Sequence, residues 1–216
     1  MQLEMAELSH AQLDVAAAFF ALHESEGFVV VGGAALITLE LVDRLTEDLD
    51  FFVSIPGRVA VATKALIGAA QIRGWHVTVL RDTESFQRLE IDCDDELVRV
   101  DLALDSAARL PIVTSRIGPT LAPLELAGRK LLALFDRAQP RDFIDVYELV
   151  RRFGVDRVLA SAEDIDPGFQ TEHLVVALRR ISVFGADDLR CDDQRYEQIR
   201  RFSTDWASEL DANGTS

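Results

Sequence analysis

The sequence predicts an α+β fold, a mixed sheet with helices over residues 1–115 followed by a helical region over residues 116–216. Three observations predict it. Short β-branched or alternating runs occur only in the first half of the chain. Pro111, Gly118, Pro119 and Pro123 then punctuate a connector. Beyond the connector, apolar residues recur at helical spacing. With 216 residues, of which 49% are apolar, the chain is long enough to bury a substantial core in one domain or in a domain plus a smaller helical one.

The elements follow in order. Ser9 to about Ser25 reads as a helix with Ser9 at its N-cap and Val15, Ala16, Phe19, Phe20 and Leu22 in its apolar middle. Phe28 to Val31 reads as a strand that ends in Gly32-Gly33, a helical stretch comes next, and a second strand carries Asp48-Leu49-Asp50-Phe51-Phe52. Pro56-Gly57 opens a helix through Val61, Ala65, Leu66 and Ile67 that Gly74 ends. Three further strands are expected at 76–80, 86–91 and 97–104, the last with Val98, Val100, Leu102 and Leu104 on one face and Arg99, Asp101 and Asp105 on the other. Helices are expected at 124–137, 141–153, 155–162, 172–183 and 192–210, with 211–216 frayed.

Composition narrows the function classes. A net charge of -15 argues against a protein that coats nucleic acid, because phosphate binding needs a basic footprint. A local basic groove is still compatible with it, since lysine occurs only at Lys64 and Lys130 while arginine is frequent beyond position 80. Neither a signal sequence nor an apolar run of membrane-spanning length is present, so the expected compartment is the cytoplasm, with no membrane partner. Cys93 and Cys191 stand far apart and read as reduced thiols.

The chemistry concentrates in two segments. Glycines at 32 and 33 let backbone amides at a helix start approach a phosphate closely. Alternation along a strand puts Asp48 and Asp50 on one face, roughly 7 Å apart, a spacing suited to a Mg²⁺ ion that takes oxygen ligands and keeps substrate phosphates in its shell. Asp101 is the natural third carboxylate if its strand lies beside theirs; the plainer reading pairs it with Arg99 or Arg88 on a solvated face. Arg44 and Thr46 could contact phosphate or brace the loop, and the plainer alternative is an Arg44 to Asp48 ion pair with an ordinary turn threonine. A phosphate on Thr46 would add about -1.5 to -2 charges beside the carboxylates and compete with a triphosphate. In the second segment Lys130 borders an apolar helical stripe, where it either snorkels or reaches a triphosphate. Arg141, Asp142 and Asp145 could line one face of the next helix, or form an ordinary ion pair within it.

In this order, Val-Gly-Gly-x-Ala-Leu, Arg-x-Thr-x-Asp-x-Asp-Phe-Phe, Val-Asp-Leu, Lys-Leu-x-Ala-Leu and Arg-Asp-x-x-Asp-Val-Tyr-Glu-Leu resemble the AbiEii/AbiGii-toxin nucleotidyltransferases, MenT-type toxins included, over about residues 28–153. These belong to the DNA polymerase beta-like nucleotidyltransferase superfamily. The resemblance implies a nucleotidyltransferase core and the toxin of a bacterial toxin–antitoxin pair. Such a toxin uses a nucleoside triphosphate, often a pyrimidine such as CTP, and Mg²⁺ to extend the 3′ end of tRNA, stopping aminoacylation and translation. Carried over by motif, Gly32 and Gly33 form the phosphate turn, Asp48 and Asp50 hold metal, Lys130 contacts the nucleotide, and Arg141, Asp142 and Asp145 make up the last motif. Asp101 matches through the short Val-Asp-Leu, as a metal ligand or as the acceptor of the attacking hydroxyl's proton. The last motif has Arg141 directly before its first acid, where the pattern has a lysine. The tRNA phosphates would meet arginines, with Arg129, Arg137, Arg151, Arg152, Arg179 and Arg180 as candidates. A kinase-like antitoxin acting on Thr46 would silence the enzyme. Two alternatives are a nucleotidyltransferase acting on a small molecule or protein hydroxyl, and a non-catalytic antitoxin-like partner with the same fold.

Overall fold

A computed structural model describes residues 7–93 and 96–214. Its chain divides into two compact units, residues 1–123 and 124–216. Unit one opens with helix α1 (His10–Phe20), whose Ser9 and Gln12 close a reciprocal capping box. The single helix expected from Ser9 to Ser25 therefore stops early, and a short 3-10 turn at His23–Ser25 follows. Strand β1 (Val29–Val31) leads into helix α2 (Gly32–Thr38), then strand β2 (Asp48–Val53) and helix α3 (Arg58–Ile72). Strands β3 (His76–Asp82), β4 (Phe86–Cys93) and β5 (Glu96–Leu104) complete most of the sheet.

The connector holds two short strands that its composition hides, β6 (Val113–Ser115) and β7 (Gly118–Thr120). Gly118 and Pro119 read as turn residues, yet they form a three-residue strand between β1 and the edge strand β6. The seven strands run in the order β3-β4-β5-β2-β1-β7-β6. β1 and β7 run parallel, and so do β2 and β5 with Asp50 opposite Asp101 and Asp48 opposite Arg99, while the other pairs are antiparallel. Phe51 is buried on the face of β2 opposite the aspartates, stacked on Phe19 of α1 at 4.4 Å between ring centroids. Phe20 meets the same ring edge-on.

Unit two is helical. Its elements are α4 (Pro123–Arg137), α5 (Pro140–Phe153), α6 (Val155–Ile165), α7 (Thr171–Arg179), α8 (Ala186–Leu189) and α9 (Asp193–Gly214). The expected helix 172–183 tightens into a 3-10 turn at Arg180–Val183, and the last helix runs through 211–214, where fraying was expected. Thr215 and Ser216 lie outside the described residues. The amphipathic stripes of α4 and α5 bury Leu126, Leu131, Leu134, Phe143, Val146 and Leu149. Among the described residues no helix is long and apolar enough to cross a membrane.

Candidate active site

The site residues of unit one gather where β1 gives way to α2. Gly32 adopts φ +66°, a left-handed conformation that favours glycine, and a β-carbon there would run into the Asp50 carboxylate. At Gly33 a β-carbon would lie 2.5 Å from Thr46 Oγ1 and 3.2 Å from an Arg44 nitrogen. The two glycines thus form a cradle closed by Asp50, Thr46 and Arg44. The loop is pinned from behind, because the buried Gln12 amide donates to the Thr46 carbonyl at 2.9 Å. Gln12 escaped the sequence reading, since a helical glutamine carries no signal of a partner 34 residues away.

The polar face of the sheet carries a checkerboard of charges. One row across neighbouring strands reads Arg81, Arg88, Asp101, Asp50, and the next reads Thr78, Glu90, Arg99, Asp48. The Asp101 carboxylate is held bidentate by Arg88, with Nε donating to one oxygen at 2.7 Å and Nη2 to the other at 2.6 Å. Of the two plainer partners open to Asp101, Arg88 is the one it takes. That hydrogen bond raises the Arg88 pKa above its ordinary value, with Asp101, Asp48 and Asp50 adding their charges against the cost of burial. Arg99 reaches Asp48 and Glu90 only at 3.4 Å each, and its Nε is buried without a hydrogen-bond partner. The Arg44 guanidinium donates to the Leu45 carbonyl at 2.9 Å.

Among the described residues no group of three or more His, Cys, Asp or Glu side chains is gathered closely enough to hold a metal ion. Two carboxylates nevertheless fit a magnesium ion, which commonly takes one or two protein carboxylates and completes its shell with water and phosphate. Asp48 and Asp50 share the polar face of one strand, are partly open to solvent, and supply hard oxygen donors beside the glycine cradle.

Unit two brings its motif residues together in a different way. Lys130 on α4 donates to Asp145 on α5 at 2.9 Å, with 10% of the lysine side chain and none of the aspartate exposed. Arg137 grips the fully buried Asp142 through two hydrogen bonds of 2.9 and 2.8 Å, and Asp142 also accepts from the Gln139 amide to cap α5. Arg141 is exposed at the start of the same helix, off the face that buries Asp142 and Asp145. Asp142 and Asp145 are each bound by a side chain of α4. Of the arginines expected to meet RNA, Arg129 pairs with Glu125, Arg137 with Asp142, Arg151 with Glu148 and Arg179 with Asp211.

Comparison with known proteins adds to this geometry. A family model described as "Nucleotidyl transferase AbiEii toxin, Type IV TA system" matches residues 15–212. A search of curated proteins finds no match. Among solved structures, a putative nucleotidyltransferase from H. pylori superposes with a TM-score of 0.56 at 17% identity, covering 94% of this chain and 96% of that one. MenT4, a nucleotidyltransferase toxin from Mycobacterium tuberculosis H37Rv, gives a TM-score of 0.54 at 19% identity over 96% and 92%. JHP933 from Helicobacter pylori gives 0.51 at 16% identity over 96% and 100%. At such identities the likeness is one of fold.

Proposed function

Because the chain belongs to the AbiEii nucleotidyltransferase toxin family of type IV toxin–antitoxin systems, we propose that it transfers a nucleotide from a nucleoside triphosphate to the 3′-hydroxyl of tRNA and so blocks aminoacylation. The observation that carries the proposal is the cradle at Gly32 and Gly33 closed by Asp50, with Asp48 on the same strand face. Triphosphate oxygens would approach the α2 amides over the glycines, where a side chain would block them. Asp48 and Asp50 would hold Mg²⁺, which when bound neutralises charge developing on the phosphate and lowers the pKa of the attacking hydroxyl.

The acceptor oxygen forms a bond to the α-phosphorus as the bond from that phosphorus to the bridging oxygen breaks. Pyrophosphate departs with that electron pair, and the hydroxyl proton passes to water at the carboxylate face. Arg44 and Thr46 line the cradle and orient the phosphates. By its match to the family's third motif, Lys130 is the proposed nucleotide contact, with Asp145 fixing its side chain and Asp142 capping the helix that presents Asp145. Arg141 would offer a further phosphate contact. Pyrimidine triphosphates, CTP among them, are the proposed donors. A phosphate on Thr46 would fill the cradle, which supports a cognate antitoxin that acts as a kinase there; with Thr46→Val that protection would be lost.

A second reading, transfer to a small molecule or a protein hydroxyl, is favoured by one observation: four candidate RNA-contacting arginines already engage acids in a chain of net charge -15. Incubation with total tRNA, Mg²⁺ and each labelled triphosphate separates the two. Labelled tRNA from the wild type, with none from Asp48→Ala or Lys130→Ala, is the expected result. Label on a small molecule or protein instead would select the second reading.

A further inference from the structure

Resting on the proposed transferase reading, we infer that Asp101 anchors Arg88 and is not a ligand of the cation, so that Asp48 and Asp50 alone hold the metal beside a fixed guanidinium. Three carboxylates in adjacent positions would ordinarily be read as one metal-binding set. The side chains divide them into two and one.

The register begins the argument. Asp101 of β5 stands between Asp50 of β2 on one side and Arg88 of β4 on the other, so its carboxylate could serve either neighbour. It serves Arg88, with both oxygens in a fork of 2.7 and 2.6 Å. The planar guanidinium matches a carboxylate in this geometry with little left to gain from rearrangement. Arg88 is braced from another direction too, since its guanidinium carbon lies 5.5 Å from the centre of the Phe86 ring.

Solvent access points the same way. Mg²⁺ sheds water reluctantly and usually keeps several waters after binding. Asp101 is the more buried, with 8% of its side chain exposed against 15% for Asp48, and Asp50 is likewise partly open to solvent. Arg99 provides an internal control: it faces Asp48 from the same sheet, but at 3.4 Å through a single nitrogen, a contact long enough for a cation to displace. Arg88 grips Asp101 with two short bonds, and Arg99 meets Asp48 through one long one. Held by Asp101, the Arg88 guanidinium keeps its place two strands from Asp50 without help from a metal. Its side chain is 40% exposed and open to an incoming phosphate. In this arrangement Asp101 is a positioning residue.

The test uses Mn²⁺ as the probe and the purified full chain, with binding followed by electron paramagnetic resonance and each variant's fold checked by thermal melting. Asp50→Asn should weaken Mn²⁺ binding at least tenfold, on the order of the loss expected when a metal site loses a key group. The decisive protein is the double variant Arg88→Ala with Asp101→Asn, which removes one charge of each sign. If Asp101 serves only Arg88, the double variant binds Mn²⁺ within about threefold of wild type, the near-neutral outcome of removing both members of a pair. A loss as large as that of Asp50→Asn would overturn the inference by showing Asp101 to be a ligand. Arg88→Gln with Asp101→Asn keeps an amide pair at the same positions and answers the question should the first double variant melt abnormally. Wild type that binds no Mn²⁺ would overturn the metal-dependent reading itself, a failure distinct from a defective double variant.

Discussion

The sheet unit and the helical unit use the same charged residue types in opposite ways. On the sheet, Asp48 and Asp50 are partly exposed on a polar face, beside a glycine cradle that leaves room for a ligand. In the helices, Asp142 and Asp145 are wholly buried, and Lys130 and Arg137 bind them from α4. A partly exposed carboxylate keeps some of its hydration and can exchange partners. A buried one depends on the partner it folded with, because the cost of desolvating it is recovered only through that pairing. The difference teaches that a motif acid can matter for chemistry in one unit and for architecture in the other.

The largest effect should come from breaking a helical pair. Asp145→Ala leaves the Lys130 ammonium buried without its carboxylate and should cost about 3–5 kcal/mol of stability, read from urea denaturation. Replacing both residues with apolar ones of similar volume, Lys130→Met with Asp145→Leu, should recover most of that loss. If the double variant were as unstable as the single one, the pair would not be the cause. Next comes Gly32→Ala, which sharpens the contrast from the sheet side. Its left-handed backbone and the collision with Asp50 should cost about 1–3 kcal/mol, while triphosphate binding falls much further than stability does. Equal triphosphate affinity in the variant would mean that the cradle does not hold the nucleotide.

The smallest effect concerns Asp136 on α4. Burial, reinforced by Asp166, raises its pKa above the ordinary carboxylate value, against the pull of Arg137. Its folded pKa therefore exceeds its unfolded one, so its contribution to stability is present in acid and is lost as pH rises through the folded value. Asp136→Asn should be more stable than wild type at neutral pH by less than about 0.5 kcal/mol, as expected at an exposed site. That advantage should vanish as pH falls through the carboxylate range, and thermal melts across pH would reveal it.

Much of this was legible in the sequence for local reasons. Glycines at 32 and 33 mark a close approach whatever lies opposite, and strand alternation assigns Asp48, Asp50 and Phe51 to their faces without any partner strand. Five helices of unit two carried strong apolar periodicity, and their starts are right to within a few residues, while the four-residue α8 gave no such signal. The pairings were harder to read. Nothing local says that β2 and β5 run parallel and adjacent, the relation that sets Asp50 beside Asp101. Asp101 had two arginines within reach on the sequence, and only the order of the strands decides for Arg88. Lys130 showed as a lysine on the border of an apolar stripe, but the Asp145 that buries it stands on another helix.

Strand β2 carries a consequence of its own. Its alternation places the two acids on one side and Leu49, Phe51 and Val53 on the other, with Phe51 stacked on Phe19. Sliding this strand by a single residue would send both carboxylates into the aromatic core and push the core residues out to water. The chain therefore cannot fold well with its chemistry misaligned: proofreading of the site is built into assembly.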